Sequence, residues 1–145
     1  MKKVFAGFLA VALFLASVTA SAAVENVLGV HHVRTSFDSS RGAEPKILVA
    51  SSKGDLDRHR ISEFHPDFTE RYGWTWFQDR YLLVIELTEP SGSIMHNVAD
   101  VTPEGDIVIE RIMPDIGTSD MAQSFVIIEI DRRFRPRQYR IRLVE

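Results

Sequence analysis

The chain has 145 residues, of which 45% are hydrophobic and 26% charged, with a formal net charge of −3 and no cysteine. These proportions are typical of one soluble globular domain, and the lack of cysteine excludes disulfides, thiol catalysis, thiolate metal sites and lipid attachment to a cysteine. Net negative charge disfavours nucleic-acid binding, because an acidic surface repels phosphate.

The first 22 residues have the three parts of a secretory signal peptide. Lys2 and Lys3 are positively charged, residues 4–18 form an apolar run, and Ala20–Ala22 supply the small residues of a cleavage site. The run of about 15 residues is shorter than the ~20 that cross a bilayer as a helix. The sequence therefore predicts cleavage after Ala22, no membrane span after cleavage, and a secreted or periplasmic protein that is not a lipoprotein, with one domain over residues 23–145.

The first half of this domain is predicted to contain two strands and a short helix. Residues 24–37 are rich in β-branched side chains, and residues 46–51 form a short apolar run between turn residues. Ser52 and Asp55 have the spacing of a helix N-terminus, where the serine caps free amides and the acid suits the helix dipole. We therefore expect a helix over residues 53–61.

Six aromatic residues lie between Phe64 and Phe77. Three of them recur every four residues, which predicts a second short helix that ends at Gly73. Trp74 and Trp76 follow and are expected to lead into extended chain. This aromatic run is interpreted either as core beneath a sheet or as an exposed groove for a ligand or peptide, with the two tryptophans the most exposed.

The second half of the chain is dominated by predicted strands. Residues 81–87 and 125–130 are almost entirely apolar, which indicates strands buried on both faces. Residues 94–101 and 107–113 flank a Thr-Pro-Glu-Gly-Asp turn and predict a hairpin. Residues 138–145 alternate apolar side chains with arginines, as a half-exposed strand does. We therefore predict a mainly β fold, a two-layer antiparallel β-sandwich-like domain with one or two short helices, preceded by the signal peptide helix.

Charge is unevenly distributed over these strands. Residues 81–131 hold ten acids and a single arginine, Arg111, whereas residues 132–142 hold six arginines and no acid. Such an arginine run can form a nucleic-acid patch. In a chain with net negative charge we instead expect the last segment to lie beside the acidic strands and neutralise them.

The order of these elements resembles the C-terminal domain of the PrcB family, whose members are exported or lipid-anchored subunits of a protease complex. The resemblance covers about residues 47–145 and rests on the motifs "YLLVIELTEPSGSI", "IERIMPDIGTSDMA" and "FVIIEI". The family's Thr-Gly-Gly-Tyr turn corresponds here to Ser91, Gly92, Ser93 and Ile94, so that the glycine alone is kept. The resemblance implies a β-rich domain that binds or stabilises a protein partner, an exported protease or envelope protein, and it does not imply an enzyme.

Ser93, His96 and Asp100 are the residue types of a hydrolase triad. On a strand, Ser93 and His96 point to opposite faces, and four residues at about 3.3 Å place His96 and Asp100 ~13 Å apart. A nucleophile and its base need an approach of about 3 Å. On a helix the three residues would share a face, but the short segment and the following hairpin favour a strand. A Gly-x-Ser-x-Gly nucleophile turn is also absent, so we predict no catalytic residues.

Histidine and aspartate positions do not indicate a metal site. His31 and His32 are adjacent, and His59 and His65 lack the spacing that places two imidazoles on one helix face. The segment from Asp115 to Asp120 lacks the alternating oxygen ligands and closing glutamate of a calcium loop. The sequence therefore predicts neither a metal nor a cofactor.

Two surfaces remain as candidates for binding. The first joins the turn at residues 91–93 to the loop at residues 115–122, provided that both lie at one end of the sheet. The second is the aromatic run. The candidate contact residues are Ser91, Gly92, Ser93, Asp115, Thr118, Asp120, Trp74 and Trp76. The predicted function is an exported, non-enzymatic protein-binding domain; the alternatives are a small-ligand, carbohydrate or peptide binder that uses the aromatic run, and a hydrolase.

Overall fold

The structure of the protein is a computed structural model that describes residues 26–60 and 70–145. The predicted signal peptide lies outside these residues. So does most of the predicted second helix, with Phe64, His65 and Phe68.

The described residues form seven strands and one α-helix. In chain order these are β1 (Val27–Ser36), β2 (Lys46–Ala50), α1 (Lys53–Arg58), β3 (Arg80–Glu89), β4 (Met95–Val101), β5 (Asp106–Ile112), β6 (Ala122–Asp131) and β7 (Arg140–Val144). Short 3-10 turns occur at Ser39–Arg41 and Trp76–Gln78.

The strands form two packed sheets, which confirms the predicted mainly β, sandwich-like fold. The larger sheet has the order β1-β6-β3-β2 and is antiparallel throughout. The smaller sheet has the order β4-β5-β7, in which β4 and β5 form the predicted hairpin. One pairing departs from the predicted antiparallel arrangement, since β7 runs parallel to β5. The chain leaves the larger sheet after β6 and enters the smaller one from the hairpin end, where the Arg140 N–H donates to the Gly105 carbonyl at 2.9 Å.

The larger sheet is buried on both faces because each face has its own apolar layer. On one face, Leu82, Val84 and Ile127 pack with α1 and with the aromatic residues Tyr72 and Phe77. On the other, residues such as Leu83 and Ile128 pack against the smaller sheet. This explains why residues 81–85 of β3 and 125–128 of β6 form uninterrupted hydrophobic runs, and each buried aliphatic side chain contributes roughly 1.5–3 kcal/mol.

Several predicted boundaries differ from the structure. The helix predicted to reach residue 61 ends at Arg58, and Arg60 then has a φ of 59° that a helix does not allow. The Ser52 cap is present, since its side chain accepts from the Asp55 N–H at 3.2 Å. Trp76 and Phe77 lie in a 3-10 turn that ends just before β3 begins at Arg80.

The strand predicted from residue 125 begins three residues earlier, at Ala122. Its polar start is fully buried at Gln123, whose amide nitrogen donates to Glu86 Oε1 at 2.9 Å. Its amide oxygen accepts from the Asp38 N–H at 3.0 Å. Hydrogen bonding thus allows polar residues to continue a buried strand, which the apolar pattern does not reveal.

Candidate contact surface

The turn at residues 91–93 and the loop at residues 113–121 meet at one end of the larger sheet. The turn follows β3 and the loop precedes β6. These two strands are paired, and Glu89 lies opposite Ala122. Antiparallel neighbours bring the end of one strand beside the start of the other. The turn and the loop therefore lie at the same end of the sheet, as this candidate surface requires.

Hydrogen bonds centred on Thr118 join the two segments. The Thr118 N–H donates to Ser93 Oγ at 3.1 Å, and the Ser93 hydroxyl donates to Thr118 Oγ1 at 3.2 Å. Ser91 Oγ lies 3.1 Å from the same threonine oxygen. The Gly92 N–H donates to the Asp120 carbonyl at 3.0 Å. Side-chain hydrogen bonding from Thr118 also lowers the pKa of Asp120, with smaller contributions from backbone hydrogen bonds.

Two glycines permit this close contact. A Cβ atom on Gly92 would lie 3.1 Å from Asp120 Oδ2, and one on Gly117 would lie 3.1 Å from Ser91 Oγ. Both distances are shorter than ordinary van der Waals contact. The two segments are therefore fitted to each other, although Asp115 has no described hydrogen bond to the turn.

Large apolar side chains are exposed on and beside these joined segments. Ile116 is 90% exposed, and Met113 and Met121 in the same loop are about half exposed. Met95 and Ile112, opposite each other in the β4–β5 ladder, are also exposed. We call these five residues, together with Ser91–Ser93 and Thr118, the tip surface. Sequence reasoning selected the polar residues of this loop and missed the apolar ones. The available signal was the occurrence of large apolar residues within a segment that otherwise has the composition of a polar loop.

The three residues of the hypothetical triad lie in different surroundings and share no described hydrogen-bond partner. Ser93 is bonded to Thr118, whereas His96 is buried between the sheets with Nε2 at 2.7 Å from Glu89 Oε1. Asp100 follows a bulge in β4, and its Oδ1 is buried without a described partner. Among the described residues no hydrogen bond joins the serine to the histidine or to Asp100. The predicted strand conformation of this segment is confirmed.

A buried charge cluster around Glu89 is the feature that sequence reasoning missed. Glu89 is 2% exposed and receives two hydrogen bonds from Arg111, at 3.1 Å from Nε and 2.6 Å from Nη2, besides its contact with His96. Arg111 also donates to Glu145 at 3.0 Å. Burial raises the pKa of Glu89, but the bonds from Arg111 and His96 outweigh it and leave this pKa below its ordinary value. The available sequence signal for this cluster was the predicted hairpin. Its register, which includes a bulge between Val98 and Asp100, places His96 opposite Arg111.

Only one of the two candidate tryptophans is well exposed. Trp74 is 83% exposed beside a cleft of about 550 Å³ that Phe77 and Arg132 also line. Trp76 instead packs edge-on against Tyr72 and Phe77, with ring centroids 4.5 and 5.0 Å away. The core interpretation therefore holds for three of the four described aromatic residues, and of the two tryptophans only Trp74 is exposed as the groove interpretation requires.

The described part of the chain contains no group of three or more metal-ligating side chains. Nor do those residues include a helix long and apolar enough to cross a membrane. Comparisons with protein-family models, curated proteins and solved structures found no match to this chain. The PrcB-like resemblance therefore stays a prediction.

Proposed function

We propose that this protein is an exported, non-enzymatic domain that binds another protein through the tip surface. The observation that carries the proposal is the exposure of five large apolar side chains on and beside the segments held by the Thr118 hydrogen bonds. Exposed apolar groups of this size mark interaction sites, and methionine adapts well to a partner's surface. A loop that is already fixed loses less conformational entropy on binding.

The charges beside the apolar residues indicate the chemistry of the partner. Asp115 and Asp120 are exposed in the same loop. A complementary surface would present an apolar patch bordered by lysine or arginine, since matched charges favour encounter and register. The PrcB-like layout suggests an exported protease subunit as this partner, with the present protein as its accessory or stabilising subunit.

The test is site-specific photo-crosslinking in the organism that produces the protein. A photoreactive residue at Ile116 is expected to capture one exported protein, whereas the same residue at Arg142, an exposed position on β7, is not. The captured protein is then purified and titrated. Ile116→Asp should weaken its affinity by about tenfold or more, equivalent to ~1.4 kcal/mol, while Arg142→Ala leaves it unchanged. Equal capture at both positions, or equal affinity of Ile116→Asp and the native protein, would contradict the proposal.

The ligand-binding alternative rests on the exposed Trp74. Because Trp76 is partly buried and its ring packs against the core, the aromatic run offers one stacking ring rather than a two-ring platform. The tip surface is therefore the better supported contact region.

A further inference from the structure

A second surface lies where the chain crosses from β6 to β7. Here a cleft of about 730 Å³ opens between one face of β2 and the crossing segment. Its lining residues are Ile47, Val49, Ser51, Tyr81, Arg132, Arg135, Pro136, Arg137, Gln138 and Tyr139. We call it the arginine cleft. It combines three guanidinium groups with an apolar wall and has no acidic residue in its lining.

The three arginines of the cleft differ from most other arginines of the protein. Arg41, Arg58, Arg80, Arg111, Arg133 and Arg140 each lie within 4.0 Å of a carboxylate. Arg132, Arg135 and Arg137 form no such pair with any described residue. In a chain of net negative charge, three cations that form no described ion pair line one concave surface. Their mutual repulsion favours an anion between them.

Hydrogen bonding within the cleft leaves donors unused. Arg132 reaches the Ser51 carbonyl only at 3.5 Å, and its buried Nε has no described acceptor. Arg135 donates from Nε to the Arg132 carbonyl at 3.0 Å, which leaves both of its Nη groups without a described partner. Guanidinium groups with free N–H donors bind carboxylate and phosphate in a forked geometry.

The opposite wall of the cleft is apolar and uncharged. Val49 is 44% exposed there, although it belongs to a strand. The Tyr81 hydroxyl donates to the Phe134 carbonyl at 2.7 Å and is also bonded to the Tyr139 hydroxyl. Burial is the main cause that raises the pKa of both tyrosines, so they remain neutral. Such a wall would contact the apolar body of a ligand.

The crossing segment is held in place by the hairpin turn. Gly105 has a φ of 95° and contacts Gln138 so closely that a Cβ atom would lie 2.0 Å from the Gln138 carbonyl oxygen. The adjacent Arg140 N–H donates to the Gly105 carbonyl. The arginines therefore project from a segment whose backbone is fixed before any ligand arrives.

We propose that the arginine cleft binds a small organic anion, with a carboxylate or phosphate group between the arginines and an apolar body against Val49 and Tyr139. This site is separate from the tip surface and does not depend on the proposed function. The two possible anionic groups share the same recognition chemistry, and the choice of probes distinguishes them.

The test is calorimetric titration of the purified protein with phenyl phosphate and phenylacetate. At least one of them is expected to saturate a single site with an affinity that falls as salt rises from about 50 to about 500 mM. Inorganic phosphate should bind more weakly, because it lacks the apolar body. Benzyl alcohol should not bind, because it lacks the charge.

Variants locate the site and separate it from general loss of structure. Arg135→Ala and Arg137→Ala should each weaken binding by about fivefold or more, and Arg135→Lys should restore it only in part, because an ammonium group lacks the guanidinium fork. Arg142→Ala, an exposed arginine outside the cleft, should bind as the native protein does. Melting temperatures verify that all variants fold. No saturable binding of either probe, equal binding of benzyl alcohol, or an equal loss with Arg142→Ala would overturn the proposal.

Discussion

At the scale of single residues, Glu89 is the most consequential polar side chain of the fold. It sits between the sheets and is the common partner of His96 and Arg111. Removing one member of a buried ion pair leaves the other charge unbalanced in a poorly hydrated place, at a cost of about 3–5 kcal/mol. This carboxylate therefore links β3 to both strands of the hairpin at this end of the sandwich.

We expect Glu89→Gln to lower the free energy of unfolding by about 3 kcal/mol, because a neutral amide cannot compensate the charge of Arg111, whose other carboxylate partner, Glu145, is exposed. Urea denaturation measures the change. Glu110→Gln is the matched control, since Glu110 on β5 makes only an exposed contact of 3.4 Å with Asn97. Its effect should stay below about 0.5 kcal/mol. Equal effects of the two substitutions would show that Glu89 is not specially required.

At the scale of elements, the sequence predicts best what local pattern determines. The hairpin, the two central strands and the Ser52 cap each depend on neighbours within a few residues. The parallel pairing of β7 and the polar start of β6 depend on distant partners, Gly105 and Glu86, that no local pattern contains. The tip surface could be predicted only in part. The meeting of its two loops follows from the pairing of β3 with β6, whereas the exposure of Ile116 does not follow from that pairing.

The β5–β7 pairing gives a prediction at this scale. Gly105→Ala would force a Cβ atom onto the Gln138 carbonyl and place a side chain at a φ of 95°. Neither the clash with the Gln138 carbonyl nor the unfavourable φ can be relieved by moving a side chain. We therefore expect a loss of at least ~2 kcal/mol in unfolding free energy and faster amide exchange in β7. Gly73→Ala is the control, since a Cβ atom there meets nothing within 4 Å. Denaturation with hydrogen-exchange mass spectrometry measures both effects, and unchanged exchange in β7 would contradict the prediction.

At the scale of the whole molecule, the two proposed sites occupy different parts of the sandwich and have opposite charge. The tip surface carries Asp115 and Asp120 beside its apolar residues, whereas the arginine cleft has arginines and no acid in its lining. The arginine run thus neutralises acidic strands only in part, through Arg133 with Asp131 and Arg140 with Asp106. The remaining arginines give the molecule a second, cationic surface.

The carboxylates also determine how stability depends on pH. Every described carboxyl group with a resolved shift has a lowered pKa: Asp38, Asp55, Glu89, Asp120 and Asp131. Hydrogen bonds from Arg133 lower the pKa of Asp131 to about 2. A carboxyl group whose pKa is lower in the folded chain stabilises the fold above its unfolded pKa and ceases to do so as pH falls through the folded pKa.

We therefore expect the free energy of unfolding to fall slightly between about pH 7 and pH 5, because burial lowers the pKa of His32, and to fall further, through the carboxyl groups, from there towards about pH 2. The unfolded chain binds more protons than the folded chain in that interval, so acid favours unfolding. The difference between the native protein and Glu89→Gln should shrink as pH falls, because protonation makes Glu89 as neutral as glutamine. Urea titrations at several pH values measure this difference, with Glu110→Gln as the parallel control. A difference that stayed constant down to about pH 3 would show that Glu89 stabilises the fold by its shape and not by its charge.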